Sequence, residues 1–580
     1  MLNIRSRKVR FFLRFKIKRK KKKTNKIKQA DKFQIIPLGG IGEIGKNMFV
    51  INYNDEIIVV DAGLAFPEEE MLGVDMVIPD ITYLLENIGK IKAILLSHGH
   101  EDHIGALPYI LPKINVPIYG TRLTLGLLKV KLEEFGLHQS TVLSEIVAGE
   151  EIEIGSFRVQ FFATNHSIPD SVGFVVKTPV GNIVYTGDFK FDHTPVQGRG
   201  TDFHSLAEIG KEGVLVALAD STNAERPGYT RSESRVGETL KEIFLAAEGR
   251  IIIASFASNV YRIQQIVDAA CFSGRKLAVD GRSMVNVVEI AQRLGYLRIP
   301  PFTLIDVEEV KSFADDRVVI LTTGTQGEPM SALARLSNST HRKLEIVPSD
   351  TVVIAANPIP GNEKLVSRTI DNLFRQGAKV IYEDTSGVHV SGHGSQEELK
   401  LMLSLLRPRY LIPVHGEYRH LIHHAELAEK MGIKKENILI VENGTTMEFT
   451  SDRGRILNSV AAGGVFVDGL GVGDVGNIVL RDRQVLSRDG IFIVVIAMDS
   501  KTKNIIAGPD VFSRGFVYVR ESEELLDEAR ENASQVLDNL EQKKISDWTT
   551  IKNNVRDSIG KFLWEKTGRR PMILPVIMEI

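Results

Sequence analysis

Cysteine is all but missing from this chain. Cys271 is the only one among 580 residues, so no internal disulfide can form, and the sequence reads as that of a protein of a reducing cytoplasm. Long apolar runs are missing too. The best candidate, residues 491–498 (IFIVVIAM), is eight residues long, where a membrane-crossing helix needs about 18 or more, and it reads as a buried strand. Phe11, Phe12 and Leu13 are too few and too interrupted by arginine for a secretory signal, so secretion is not expected. With 43% hydrophobic and 25% charged residues, the composition excludes collagen-like, disordered and disulfide-scaffold classes. No internal repeat is found, and the length predicts two or three packed units rather than one core.

The net charge of −1 conceals an asymmetry. Residues 1–32 hold 15 Lys and Arg against Asp31 alone, a charge of +14, which leaves −15 on the remaining 548 residues. Two readings of this segment stand side by side. It is a solvated, disordered arm or the product of a mis-assigned start codon, or else it is a polybasic arm that adds sequence-independent affinity for phosphate backbones.

From Phe33 onward, short Val- and Ile-rich runs separated by Gly, Asp and Asn (FQIIPL, NMFVINY, EIIVVDAG, AILLSHG, GNIVYTGD) predict strands. Helical periodicity appears at 123–135, 234–247, 261–272 and 285–294. Between 232 and 390 strands and helices alternate, which predicts an inserted unit with a mainly parallel sheet. Helices are expected at 396–406 and 419–431 around the strand YLIPVHG, and a Gly-rich stretch at 463–476 reads as a linker. The rest, with helices at 522–544 and 548–566 and a closing strand MILPVIME, reads as a small α+β unit.

Chemistry concentrates at His98-Gly99-His100-Glu101-Asp102-His103, directly after the strand AILLS. Imidazoles and carboxylates this close together are costly to bury without a cation. The donor types suit zinc, with manganese as an alternative. Alternation lets His98 and His100 face one ion while Asp102 and His103, after the chain turns, face another. His166, Asp188 and His415 each stand at the C-terminal edge of a further apolar strand, where an α/β sheet exposes its site.

The segments LGGIGEIGKN, VDAG, LLSHGHEDHIGALP, TNHSIPDS, TGDFK, DSTN, HVSGHGS, PVHGE and PMILPVIME resemble the metallo-β-lactamase superfamily and, within it, the β-CASP nucleases of the ribonuclease J family. The resemblance runs from Phe33 to Ile580. It implies an α/β fold: a metallo-β-lactamase αββα sandwich (33–231 and 391–462) interrupted by a β-CASP domain (232–390), then the linker (463–476) and a C-terminal oligomerisation domain (477–580), all preceded by the arm (1–32). It implies that His98, His100 and His166 hold one Zn2+, that Asp102, His103 and His415 hold a second, and that Asp188 bridges them, with Mn2+ or Mg2+ as alternatives. Asp61 and Asp220 would orient ligating histidines, and His393 would protonate the leaving 3′ oxygen during RNA cleavage. A pocket for an RNA 5′-monophosphate would be formed by Ala257, Ser258 and Asn259 with His389, Val390, Ser391, Gly392 and His393. Ser258 could serve at the same time as a helix N-cap.

The implied activity is internal cleavage and 5′-to-3′ trimming of RNA, in RNA maturation and mRNA decay. The implied assembly is a homodimer or homotetramer, with an RNA degradation complex or the ribosome as partner. Rival readings are a catalytically silent RNA-binding paralogue or scaffold, a DNA-directed β-CASP nuclease, against which His415 argues within the resemblance, and a small-molecule hydrolase such as a thioesterase, for which the inserted domain has no purpose. Gly40-Ile41-Gly42-Glu43-Ile44-Gly45 fits a dinucleotide-binding GxGxxG, but NMFVINY resumes strand alternation where a helix would have to begin, so a glycine-rich hairpin beside the metals is expected instead. Asp75 and Asp468 are weak candidates for a structural divalent cation. His420, His423 and His424 read as surface or supporting residues.

Overall fold

The computed structural model describes residues 31–198, 200–328, 330–358, 362–382, 386–500, 502, 504–517, 523–543 and 545–580, so the basic segment expected as an arm lies, but for Asp31 and Lys32, outside the described residues. Among the described residues the strands form five sheets. Two of them stack face to face. The first has eight strands in the order Gly454–Ile456, Met447–Phe449, Phe33–Gly39, Met48–Tyr53, Glu56–Val60, Ile91–Leu95, Ile118–Gly120, Leu143–Glu145. The second has six, in the order Tyr410–Val414, Val216–Asp220, Gly181–Tyr185, Val172–Thr178, Phe157–Ala163, Glu151–Ile154.

Alternation along these strands explains the layering. Phe33, Ile35, Phe49, Ile51, Ile58 and Val60 point into the space between the sheets and meet Phe157, Val159, Phe161, Phe174 and Ile412 from the other side. Ile36, Leu38, Val50 and Val59 point the opposite way, into a core shared with the helix Arg122–Glu134. The outer face of the second sheet is covered by the helices Phe203–Glu212, Gln396–Leu406 and Tyr418–Lys430. The arrangement is therefore helix, sheet, sheet, helix. Each side chain of this size, fully removed from water, contributes about 1.5–3 kcal/mol, which makes strand register expensive to change.

A third sheet of six strands is parallel throughout: Leu304–Ile305, Lys276–Val279, Val318–Thr322, Ile251–Ala254, Thr351–Ile354, Lys379–Ile381. Helices cover both of its faces. It joins the sandwich through the helix Arg282–Leu294, which packs so closely on Arg122–Glu134 that a Cβ added at Gly126 would lie 2.7 Å from Leu294.

The Gly-rich stretch read as a linker is ordered. Gly464–Asp468 pairs antiparallel with Met76–Pro79 and with Gly471–Val472, and the thirteen-residue helix Asn477–Asp489, which periodicity did not reveal, follows. Of its apolar residues Ile478, Val479, Leu480, Val485 and Leu486 only Leu480 is buried, so they do not mark one buried face. Asp75 and Asp468 meet protein donors here: Asp75 accepts the Gly469 N–H at 2.8 Å, and Asp468 pairs with Arg483 at 2.5 Å. At this weak candidate for a structural cation, Arg483 places a guanidinium beside Asp468. In the last sheet Ile491–Met498 is central, antiparallel to Ile505–Arg514 and parallel to Met572–Glu579, with the helices Glu523–Gln542 and Trp548–Thr567 on one face.

Candidate metal centre

The site is built at one edge of the sandwich, where strand after strand ends. Asp61 follows Glu56–Val60, His98 follows Ile91–Leu95, Asp188 follows Gly181–Tyr185, Asp220 closes Val216–Asp220 and His415 follows Tyr410–Val414. His166 leaves the end of Phe157–Ala163 at the same edge. His100 caps the short helix Glu101–Ile104, which carries Asp102 and His103.

Besides a third group that joins Asp188 and His415 to Asp220 and His393, two groups of donors result, and they share one residue. His98, His100, His166 and Asp188 form the first, and Asp102, His103, His415 and Asp188 form the second. In the first, Nε2 of His98 and Nε2 of His166 stand 3.0 and 3.1 Å from Nδ1 of His100. In the second, Nε2 of His415 is 3.0 Å from Oδ2 of Asp102, and Nε2 of His103 is 3.3 Å from Oδ2 of Asp188. That same Asp188 oxygen also lies 3.6–3.7 Å from His98, His166 and His415.

The hydrogen bonds behind these residues decide which atoms face inward. His166 donates its Nδ1–H to the Gly392 carbonyl at 2.8 Å, and His103 donates its own to Asp61 at 2.8 Å. The Thr222 hydroxyl donates to Asp220 or to the His415 carbonyl, so it accepts the Nδ1–H of His415, at 2.7 Å. In all three rings Nδ1 is therefore occupied, and Nε2 is the nitrogen directed at the shared centre. The buried Oδ1 of Asp188 has no hydrogen-bond partner among the described residues. Inward ring nitrogens, converging carboxylates and an orphaned buried oxygen fit divalent cations.

The electrostatics agree. Burial, reinforced by the neighbouring imidazoles, holds His98 and His166 well below the ordinary histidine value. Burial also pushes His100 down to about 4 against the pull of Asp102 and Asp188. In the second group burial is outweighed: Asp188, Asp102 and Asp61 push His103 up to about 10, and Asp188, Asp102 and Asp220 hold His415 well above its usual value. Burial works against ionisation of Asp102 and Asp188, yet the histidines around them keep both below the carboxylate range. One half of the site is thus a set of neutral ligands, and the other half is a negative field in which a proton takes the place of a cation.

His393 stands beside both groups. Its ring stacks on His415 at 5.3 Å and meets His166 at 4.9 Å, and its Nδ1 is 2.8 Å from Oδ2 of Asp220. Asp220 is thus bound to His393, and its other oxygen is 3.6 Å from Nδ1 of His415, with Thr222 in the closer position. Thr222 was not singled out from the sequence, nor were Ser97 and Tyr185, which both donate to Asp61, at 2.8 and 2.9 Å. Asn47, whose side chain reaches the Asp102 carbonyl and His103, was also missed. Thr222 and Ser97 lie inside the motifs DSTN and LLSHGH, so adjacency was the available signal. Tyr185 reads only as a core aromatic.

Helix Val260–Phe272 is capped by Asn259, which accepts the Arg262 N–H at 3.0 Å, so Asn259 and not Ser258 is the N-cap. Ala257 and Val390 pack on one common core. Arg262 ties the helix to the histidine-bearing loop through the Val388 carbonyl at 2.8 Å. Ser391 accepts from Asn223 at 2.8 Å and from the His393 N–H at 3.2 Å. The glycine-rich turn at 40–45 is no dinucleotide loop: the strand Met48–Tyr53 follows it, and Gly40 accepts the backbone N–H of His415 at 2.8 Å. His424 is buried behind the site against Ser221, His420 is buried at the start of its helix, and His423 is half-buried.

The fold and site are those of a metallo-β-lactamase-type hydrolase with an inserted parallel α/β domain. Comparison with known proteins narrows the class. The family described as Ribonuclease J, beta-CASP domain, matches residues 248–373, and Ribonuclease J C-terminal domain matches 478–580. Metallo-beta-lactamase superfamily matches 41–224, and Zn-dependent metallo-hydrolase RNA specificity domain matches 379–440. Ribonuclease J2 of Bacillus subtilis is 50% identical over 555 residues, covering 96% of this chain and 100% of its own. Ribonuclease J 1 of Streptococcus pyogenes is 46% identical over 96% of this chain and 99% of its own, and Ribonuclease J 2 of Staphylococcus aureus is 44% identical over 96% and 100%. A crystal structure of a protein of unknown function from Enterococcus faecalis shares the fold at 16% identity, with a TM-score of 0.51 over 73% of this chain and 100% of its own. The chain belongs to the ribonuclease J family of metal-dependent ribonucleases.

Proposed function

We propose that the protein is a zinc-dependent ribonuclease that cleaves RNA internally and also trims it from the 5′ end, preferring a 5′-monophosphate, in RNA maturation and mRNA decay. The observation that carries this reading is the pair of donor groups sharing Asp188, with His393 held by Asp220 at their rim. His98, His100, His166 and Asp188 would hold one cation, and Asp102, His103, His415 and Asp188 the other. Bound divalent cations acidify water and neutralise charge on phosphoryl oxygens, with zinc favoured by the donor set and manganese or magnesium as alternatives.

The chain's own residues supply the rest. Asp61 and Thr222 hold Nδ1 of His103 and His415, so that Nε2 is the atom a cation would meet once it displaces the proton there. Asp220 fixes Nδ1 of His393, so a proton carried on its Nε2 is available to the leaving 3′ oxygen. The products are a 5′-phosphate and a 3′-hydroxyl. Both acceptor positions of the Ser391 hydroxyl are taken by Asn223 and His393, which leaves its proton to donate to a terminal phosphate. His389 supports the same pocket: the residue is half-buried, its buried Nδ1 has no hydrogen-bond partner among the described residues, and burial together with Arg262, Arg226 and Lys190 pushes it down to about 3, a cationic setting suited to an anion. Ala257, Ser258, Asn259, Val390 and Gly392 complete the proposed pocket.

We assign residues 33–231 and 391–462 to the catalytic sandwich, 232–390 to the β-CASP domain, 463–476 to the ordered connection and 477–580 to an oligomerisation domain, in a cytoplasmic homodimer or homotetramer that joins an RNA degradation complex or the ribosome. The test compares initial rates of mononucleotide release from identical RNAs with monophosphate, triphosphate or hydroxyl 5′ ends. The monophosphate should be fastest, Ser391→Ala should erase much of the difference while metal content stays unchanged, and His100→Ala and Asp188→Ala should abolish cleavage. Equal rates on the three ends would overturn the pocket, and turnover within tenfold of wild type in both ligand variants would overturn the metal assignment.

A further inference from the structure

Glu398 is fully buried and lies outside the metal centre, on the first turn of the helix Gln396–Leu406. One of its contacts is ordinary: Oε2 accepts the Ser395 N–H at 2.8 Å, completing a capping box with the Ser395 side chain. A capping box needs nothing more, yet the carboxylate also accepts two N–H groups from distant loops. Oε1 takes the Phe191 N–H at 2.8 Å, and Oε2 takes the Thr230 N–H at 2.6 Å.

The three donors belong to three of the loops that carry polar residues of the site. Phe191 is three residues past Asp188, Thr230 lies in the loop that leaves Asp220, and Ser395 is two residues past His393. Thr230 continues the connection: its hydroxyl donates to the His393 carbonyl at 2.8 Å, beside Asn223 at 2.8 Å, and Gly394 donates its N–H to the Phe189 carbonyl. With Nδ1 on Asp220 and the backbone N–H on Ser391, every polar atom of His393 except Nε2 is then held. The segment 393–395 is pressed against Glu398 so closely that a Cβ added at Gly394 would lie 2.9 Å from its Cβ.

We propose that Glu398 is a positioning residue for proton delivery, its carboxylate fixing the loop of His393 against the loop of Asp188 so that Nε2 of His393 faces the leaving oxygen. The proposal rests on the reading of His393 as the proton donor. Glutamine separates positioning from capping, because a Gln at this place of a capping box still accepts the Ser395 N–H but turns an NH2 group toward one of the two distant donors.

The experiment measures Glu398→Gln, Thr230→Val and His393→Ala in the metal-loaded full chain, on RNA and on bis(4-nitrophenyl) phosphate, whose nitrophenolate departs without a proton. Metal content and melting temperature are recorded for each. Glu398→Gln should lower kcat on RNA at least tenfold with KM within about threefold, and should lower hydrolysis of the activated ester less than twofold. Thr230→Val, which removes the hydroxyl contact to His393 and keeps the backbone N–H, should show the same split at smaller amplitude. An equal loss on both substrates, or an RNA rate within twofold of wild type for both variants, would overturn the proposal. His393→Ala keeps the two readings apart: if it fails to distinguish RNA from the ester, the proton-donor reading falls, and if it distinguishes them while Glu398→Gln does not, only the role of Glu398 falls.

Discussion

Thr222 Oγ1 stands 2.7 Å from Nδ1 of His415, closer than either oxygen of Asp220. The hydroxyl is the link through which a carboxylate sets the tautomer of a ligating ring, since Thr222 Oγ1 is also 2.8 Å from Asp220. Removing such an outer contact weakens metal affinity by ~10–100-fold in comparable sites. Thr222→Val keeps the volume and removes the link, so it should loosen the cation on the Asp102 side by about that factor while sparing the His98 side. Metal titration against a chelator checks this, and two affinities equal to those of wild type would exclude the relay.

Metal binding should release protons. His103, whose ordinary value is 6.5, is pushed up to about 10 in the metal-free protein, so at neutral pH it carries a proton that a cation must displace. Apparent affinity should therefore climb by about one log unit per pH unit for each displaced proton between pH 7 and 9. The sign for stability is the opposite. A raised value stabilises the metal-free fold fully below about pH 6.5, and that contribution fades as pH rises through about 10. Calorimetry in buffers of different ionisation enthalpy measures the release, and a value of zero would show that His103 is already neutral.

Gly63 tolerates no side chain. A Cβ there would lie 1.6 Å from the Asp102 carbonyl oxygen and 2.7 Å from the His103 nitrogen. Because both atoms are backbone of the ligand-bearing helix, no rotamer can make room. Gly63→Ala should displace Asp102 and His103 together, lower stability by about 1–3 kcal/mol as overpacking does, and cost the cation on that side. Melting temperature and metal stoichiometry give the answer; full metal content with an unchanged melt would contradict the close packing.

Residues 1–32 give a prediction from charge alone. If the 15 basic residues contact RNA, deleting them should leave active-site chemistry intact but flatten the slope of log affinity against log salt. An unchanged slope would assign the segment no part in RNA binding.

The sequence by itself determined the elements and the cation-seeking chemistry. Strand alternation is local, so Phe33–Gly39 or Ile91–Leu95 can be read from a few residues, and the helix Gln396–Leu406 falls where its period puts it. Four potential ligands within the six residues 98–103 require a cation whatever the fold. Tertiary structure decided what depends on distant partners. Gly464–Asp468 lies in a Gly-rich stretch that reads as a linker, and it is a strand that pairs with Met76–Pro79 alongside it. The apolar residues of the helix Asn477–Asp489 are mostly exposed, so they mark no buried face. Which acid serves which imidazole was equally out of reach: that Asp61 holds His103, that Asp220 holds His393 and reaches His415 through Thr222, and that Glu398 gathers three loops all follow from how strand ends far apart in sequence are placed side by side. Hydrogen bonds act over about 3 Å, and only the packed sandwich fixes distances that finely.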